Sequence, residues 1–236
     1  MTLSIVMIEK TFVYGDSFSS HRFISTLCDI TQQDMWYWPM VEGELVDRTK
    51  SGKSPAAMFL QATNDSLMET APVRILVALG VCQRVPVYKD GWWHEEQLPR
   101  DLDACEQYLD SAEVGGFHPD QLHPTLMWSQ IYKGITDLAI RCGQQGHQLL
   151  VVHMNASATV DRIKKTHPLI APLCHQAEAL DCYVNEWLSC KTVCESQGIV
   201  PLDADRYGDN GHHGPEGQRA FGTQVKGIVE ARRLWN

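Results

Sequence analysis

The run Val73-Arg74-Ile75-Leu76-Val77-Ala78-Leu79, closed by Gly80, constrains this chain more than any other segment. Apart from one arginine it is apolar at odd and even positions alike. A strand that alternates apolar and polar residues buries one face, whereas a strand that is apolar throughout must be covered on both. Such strands occupy the middle of parallel sheets, and parallel neighbours need long crossover connections, usually helical. A second run, Gln148 to His153 with Leu149-Leu150-Val151-Val152 at its centre, has the same character. The fold class expected is α/β: a three-layer α/β/α sandwich around a parallel sheet of about five strands.

The remaining segments alternate in a way that suits this architecture. Leu3–Ile8 and Lys10–Tyr14 read as extended, and Gly15-Asp16-Ser17 interrupts the second. Ser19 or Ser20 is placed to cap a helix through about Asp29. Glu44–Asp47 is a short strand, and 49–52 a loop. Ser54-Pro55 opens a helix to about Glu69, with Ala57, Leu60, Asn64 and Leu67 near one stripe. Pro124–Cys142 is a helix. The stripe Leu173, Ala177, Leu180, Val184, Trp187 and Leu188 predicts one long helix over 170–197, with Gly198 as its C′ residue. Ile199–Leu202 reads as the last strand, and Pro215 begins a final helix. The chain lacks a linker, which makes residues 1–236 one domain. The aperiodic stretch at about 83–125 is the candidate insertion or lid.

Composition narrows the function classes. Of 236 residues, 44% are hydrophobic and 21% charged, which is the balance of a folded globular chain. The formal net charge of −9 makes nucleic acid a poor partner, because phosphate binding rests on Lys and Arg displacing counterions. No apolar run is long enough to span a bilayer. The N-terminus lacks the pattern of a signal peptide, so the expected location is cytoplasmic, and virion association is compatible with it. The eight cysteines form no C-x-x-C pair and are expected as free thiols. Cys190 and Cys194 share a helix face, but no second pair with zinc-ligand spacing follows, so packed thiols are the expectation.

Ligands of open α/β sheets bind beyond the carboxyl ends of the strands. Ser17 follows the first strand, Gly52 follows the second, and Asp209, His212 and His213 follow the last. A serine hydroxyl is a weak nucleophile until an imidazole takes its proton and a third group fixes the ring. Asp209 and His212 are three apart, a spacing that lets the carboxylate reach the ring on a turn. Backbone N–H groups near Ser17 and Gly52 are placed to face a developing oxyanion.

Phe12-Val13-Tyr14-Gly15-Asp16-Ser17-Phe18 resembles the strand and G-D-S block of the SGNH (GDSL-type) hydrolases. Asp209-Asn210-Gly211-His212 resembles their D-x-x-H block, and Gly217 their downstream glycine, with His213 where proline is usual. Residues 50–54 look like the glycine block and 77–83 like the strand leading to G-x-N-D. The order of blocks matches over nearly the whole chain. The resemblance implies a serine esterase or acyl hydrolase acting through Ser17, His212 and Asp209, with no cofactor. Its substrate would be a small-molecule, carbohydrate or lipid ester. The third block departs from the pattern: Cys82 stands where the family has its donating asparagine, and a thiol is a weak donor. Gln83 and Arg84 are the candidate substitute donors, the other outcome being a slow or inactive enzyme, and Arg84 resembles an arginine that phage-like members carry here. This departure supports the alternative, a non-catalytic binding or structural protein of the same fold, such as a virion or assembly component.

Other residues have plainer readings. Asp16 supports its own loop. His213 is the alternative base. Asn64-Asp65 is a solvated helix pair, His153 a structural hydrogen bonder, and His118, His123 and His147 are surface or loop residues. Trp36, Tyr37 and Trp38 are core or a sugar-stacking wall. Trp92 and Trp93 are candidate substrate or partner contacts, mildly favouring carbohydrate esters.

Overall fold

The structure, a computed structural model, describes residues 8–80, 84–89, 92–97, 124–154, 166–168, 170–184, 190–202 and 212–235. Its strands are β1 (Lys10–Gly15), β2 (Glu44–Asp47), β3 (Arg74–Leu79), β4 (Arg84–Lys89), β5 (Trp92–Gln97), β6 (Gln148–His153) and β7 (Tyr183–Val184). Its helices are α1 (His21–Ile24), α2 (Pro55–Met68), α3 (Pro124–Gln145), α4 (Ala171–Glu178), α5 (Cys190–Ser196) and α6 (Pro215–Arg232). Five strands form an all-parallel sheet in the order β2-β1-β3-β6-β7. The direction of winding reverses between β1 and β3, and that reversal opens a crevice at their carboxyl ends.

The pleat sorts side chains into two cores. Phe12, Tyr14, Ile75, Val77, Leu79, Leu149 and Val151 face α2, α3 and α4, meeting Met58, Phe59, Ile135, Leu138 and Ala177. Val13, Leu76, Ala78, Leu150 and Val152 face the other way, against Ile24, Trp36, Phe221, Val225 and Cys194. This is the three-layer α/β/α sandwich expected. It also explains why β3 has no polar face: Ile75 through Leu79 are all fully buried.

Several elements differ from the sequence reading. The stripe Ala57, Leu60, Asn64 and Leu67 faces outward, with Leu60 65% and Leu67 51% exposed. The helix is apolar on two sides, and the larger Met58 and Phe59, with Ala62, take the core. Among the described residues, the single helix expected over 170–197 is two helices, α4 and α5, with β7 between them; Trp187 and Leu188 of the expected stripe lie outside those residues. Tyr183 and Val184 point into opposite cores, a period of two, and pair with the free edge of β6. Gly198 keeps its place after the second of them, at φ +70°. Ile199–Leu202 is not a strand: Val200 is 74% exposed, and the segment runs as a connector. In the stretch read as irregular, β4 and β5 form an antiparallel pair with Lys89 opposite Trp92 and Tyr88 opposite Trp93. The dipeptide between them is Asp90-Gly91, which is favoured in two-residue hairpin turns.

Buried polar residues stitch the layers together. His147 is buried, not a surface residue: its Nδ1 accepts from the Val73 N–H at 3.2 Å, and its Nε2 lies 3.2 Å from the Ser66 carbonyl. The first bond leaves Nε2 as the donor and joins α2 to the start of β3. His147→Leu is expected to lower stability by about 2–4 kcal/mol, because two buried backbone groups lose their partner. A urea midpoint shift at constant m-value measures this. Asp65 is likewise more than a solvated helix residue. Its carboxylate accepts from Tyr14 Oη at 2.8 Å and Arg48 Nε at 3.2 Å, fixing α2 to β1 and to the loop after β2. His153 bonds the Tyr183 hydroxyl, the structural role expected of it. Cys28, Cys142, Cys174, Cys182 and Cys194 are free thiols. Burial pushes the Cys142 thiol up to about 12 and the Cys182 thiol up to about 11, which keeps both protonated and unreactive. Cys194 packs beneath α6, its thiol 3.8 Å from the Gly217 carbonyl.

Candidate active site

At the end of β1 the chain leaves the sheet through Asp16, Ser17 and Phe18. The turn is held by its own aspartate: Asp16 Oδ1 accepts from the Phe18 N–H at 3.0 Å, closing an Asx turn. Ser19 is fully buried beneath, donating to the Asp16 carbonyl at 3.3 Å. Ser20, rather than Ser19, caps α1, accepting from the Phe23 N–H at 3.3 Å. Ser17 is left half-buried on the turn, at the mouth of the β1/β3 crevice.

Facing it is His212, 195 residues later in the chain. His212 Nε2 lies 2.9 Å from Ser17 Oγ. With Nε2 accepting, the ring proton sits on Nδ1 and the hydroxyl points its proton at the imidazole. The ring is 2% exposed and is held on two sides. Phe18 stacks on it at 4.4 Å and 15°, and Phe23 leans against it at 5.0 Å and 53°. The connector misread as a strand has a part here, since the Leu202 N–H donates to the His212 carbonyl at 2.7 Å. The structure therefore brings Ser17 and His212 together; His213, the alternative base, is buried with its Cβ packed against Gly217. Asp209, Cys82 and Gln83 lie outside the described residues, as do His118 and His123. Arg84 is the first residue of β4, in register with Gln97.

The loop after β2 runs beside the Ser17 turn. The Arg48 N–H bonds the Val13 carbonyl at 2.7 Å, and the Lys50 N–H bonds the Gly15 carbonyl at 3.0 Å. Lys53 N–H returns to the Lys50 carbonyl at 3.2 Å, closing a turn over Ser51 and Gly52. Gly52 has φ +75°, the positive value a type II turn demands at its third position.

One bracing residue was missed in the sequence. Gln218, 1% exposed, donates from Nε2 to the Phe18 carbonyl at 3.1 Å and to the His213 carbonyl at 3.4 Å. A single amide thus ties the serine turn to the histidine segment. The signal was present: Gln218 lies in the same helical stripe as Phe221 and Val225, a polar side chain on a buried face. Gln218→Leu is expected to lower stability by about 1–3 kcal/mol, since the buried Phe18 and His213 carbonyls lose their donor. A urea midpoint shift at constant m-value measures the loss. Trp36 and Tyr37 are fully buried, with Trp36 edge-on to Phe221 at 5.3 Å, so they are core and not a sugar-stacking wall.

No protein-family model matches this chain, and no curated protein does. Solved structures do match over nearly its whole length. The psychrotrophic esterase EstA from Pseudoalteromonas sp., in a structure inhibited by monoethylphosphonate, aligns with 94% of this chain and 97% of its own. The identity is 10% and the TM-score 0.50. A member of the lipolytic protein G-D-S-L family from Veillonella parvula aligns with 94% of this chain and 98% of its own, at 12% identity and TM-score 0.48. An acetylxylan esterase from Geobacillus stearothermophilus aligns with 94% of each chain at 11% identity and TM-score 0.46. The fold is that of the SGNH hydrolases.

Proposed function

We propose that this chain is a serine hydrolase of carboxylic esters, with Ser17 as nucleophile, His212 as general base and Asp209 as the carboxylate that orients the ring. The observation that carries the reading is the 2.9 Å contact between Ser17 Oγ and His212 Nε2 at the carboxyl end of β1. In this reading Ser17 Oγ attacks the ester carbonyl carbon while its proton passes to His212 Nε2. The oxyanion that forms is met by backbone N–H groups of Ser17 and Gly52, with Cys82, Gln83 or Arg84 supplying a third donor. His212 returns the proton to the departing alkoxide. Water, losing a proton to His212, then attacks the acyl-enzyme, and the carboxylic acid leaves as Ser17 recovers its hydrogen.

A purely binding or structural role leaves the serine–histidine contact without a purpose, so hydrolysis is the better reading. The segment at about 83–125 is the candidate lid, and its Trp92 and Trp93 are candidate substrate contacts. The test is turnover of 4-nitrophenyl acetate, together with its loss on treatment with a serine-directed phosphonate. Absence of both turnover and covalent capture counts against the hydrolase.

A further inference from the structure

The chain is acidic as a whole, yet the cleft beside the Ser17–His212 pair is basic. A cleft of about 510 Å³ opens where α1 faces the loop after β2. Ser20, Arg22 and Phe23 line it from one side, and Arg48, Lys50 and Lys53 from the other. Phe23 is the ring that leans on the His212 imidazole, so cleft and pair share a wall. Lys50 anchors the loop to Gly15, two residues before Ser17.

The charges in this cleft are incompletely answered. Arg48 pairs with Asp65, and the Asp47 carboxylate accepts from the Thr49 N–H and hydroxyl. Among the described residues, those two carboxylates stand against four cations, Arg22, Arg48, Lys50 and Lys53. Among the described residues, Lys53 Nζ bonds neutral oxygens, the Gln61 side-chain carbonyl and the Arg48 backbone carbonyl. Arg22 and Lys50 are exposed and make no ion pair among the described residues. Burial holds the Lys53 ammonium below its ordinary pKa, and Arg48 and Lys50 push it the same way, against the pull of Asp65 and Asp47. A half-buried lysine backed by other cations is a place where a bound anion is stabilised on arrival.

The geometry points to an anion subsite: this cleft selects esters that carry a carboxylate or similar acidic group near the scissile bond. The inference rests on the hydrolytic reading of Ser17 and His212, and deepens it by naming the substrate class. Arg22 and Lys50 attract the acid group at the mouth, and Lys53 meets it within.

The experiment compares kcat/KM for neutral 4-nitrophenyl acetate with that for two anionic esters. Mono-4-nitrophenyl succinate carries the acid on the acyl side, and 4-acetoxybenzoate carries it on the alcohol side. The wild type is expected to favour one anionic ester by about ten-fold or more, with the preference shrinking as KCl rises. In the double variant Arg22→Ala/Lys50→Ala the anionic-to-neutral ratio is expected to fall about ten-fold. Lys226→Ala, on the exposed face of α6, keeps the ratio. No preference for either anionic ester, or a preference that survives in the double variant, overturns the subsite. If the wild type turns over none of the three, the hydrolytic reading fails. Calorimetry with succinate then decides the cleft on its own: binding lost in the double variant upholds an anion site, and no binding overturns it.

Discussion

Ser17→Ala is expected to reduce ester turnover by about 10⁴-fold or more while leaving the fold intact, because catalysis by a nucleophile–base pair collapses when either partner is removed. Ser17 sits half-buried on a turn whose shape is set by Asp16 and Ser19, so the missing hydroxyl disturbs no core contact. The urea midpoint should move by no more than about 0.5 kcal/mol in stability. The neighbouring His212 ring stays clamped between Phe18 and Phe23, which makes the variant a clean test of the hydroxyl alone. Mass spectrometry after phosphonate treatment gives a second readout. The wild type should gain one covalent adduct on the Ser17 peptide, and the variant none. A variant that retains most of the turnover, or an adduct on a different serine, would sink the assignment.

What the sequence disclosed about this molecule follows from which interactions are local. β3 and β6 were legible because burial on both faces leaves a continuous apolar run, a property of each strand alone. The start of α2 was legible because Ser54 and Pro55 form a cap within four residues, the serine accepting from the Ala57 N–H. The Gly15-Asp16-Ser17 turn was legible because its aspartate bonds its own backbone. β7 was hidden for the opposite reason. Two residues become a strand only because β6 offers an unpaired edge, and the helical stripe around them runs on undisturbed in one dimension. The buried face of α2 was hidden because two apolar stripes compete, and only the sheet opposite decides between them. Within the candidate site, Ser17 and His212 could be named from motif blocks. The ring clamp of Phe18 and Phe23 and the Gln218 brace are contacts across some 200 residues, beyond the reach of any local pattern. The basic cleft is a similar case: Arg22 and Lys50 are unremarked surface residues until α1 and the β2 loop are brought face to face.

Gly80→Ala is expected to cost about 10²-fold in kcat through its effect on Asp16. A Cβ at this position would stand 1.7 Å from Asp16 Oδ2 and 2.2 Å from Asp16 Cγ, closer than non-bonded atoms can approach. The Asp16 carboxylate must therefore leave, and with it goes the bond from its Oδ1 to the Phe18 N–H that shapes the serine turn. Phe18 also forms one face of the His212 clamp, so a single displaced carboxylate disturbs Ser17 and His212 together. Reacting groups misplaced by about 1 Å lose rate on the order of 10²-fold, and the overpacking itself should lower stability by about 1–3 kcal/mol. The double variant Asp16→Gly/Gly80→Ala separates the two effects. Removing the carboxylate restores space for the new methyl group, so stability should recover relative to Gly80→Ala alone. Activity should not recover, because the Asx turn is absent in both. Stability and kcat measured across this two-residue cycle test the role of Asp16 as a positioning residue. Recovery of kcat in the double variant would mean that the turn holds its shape without the aspartate, and that Gly80 matters for some other contact.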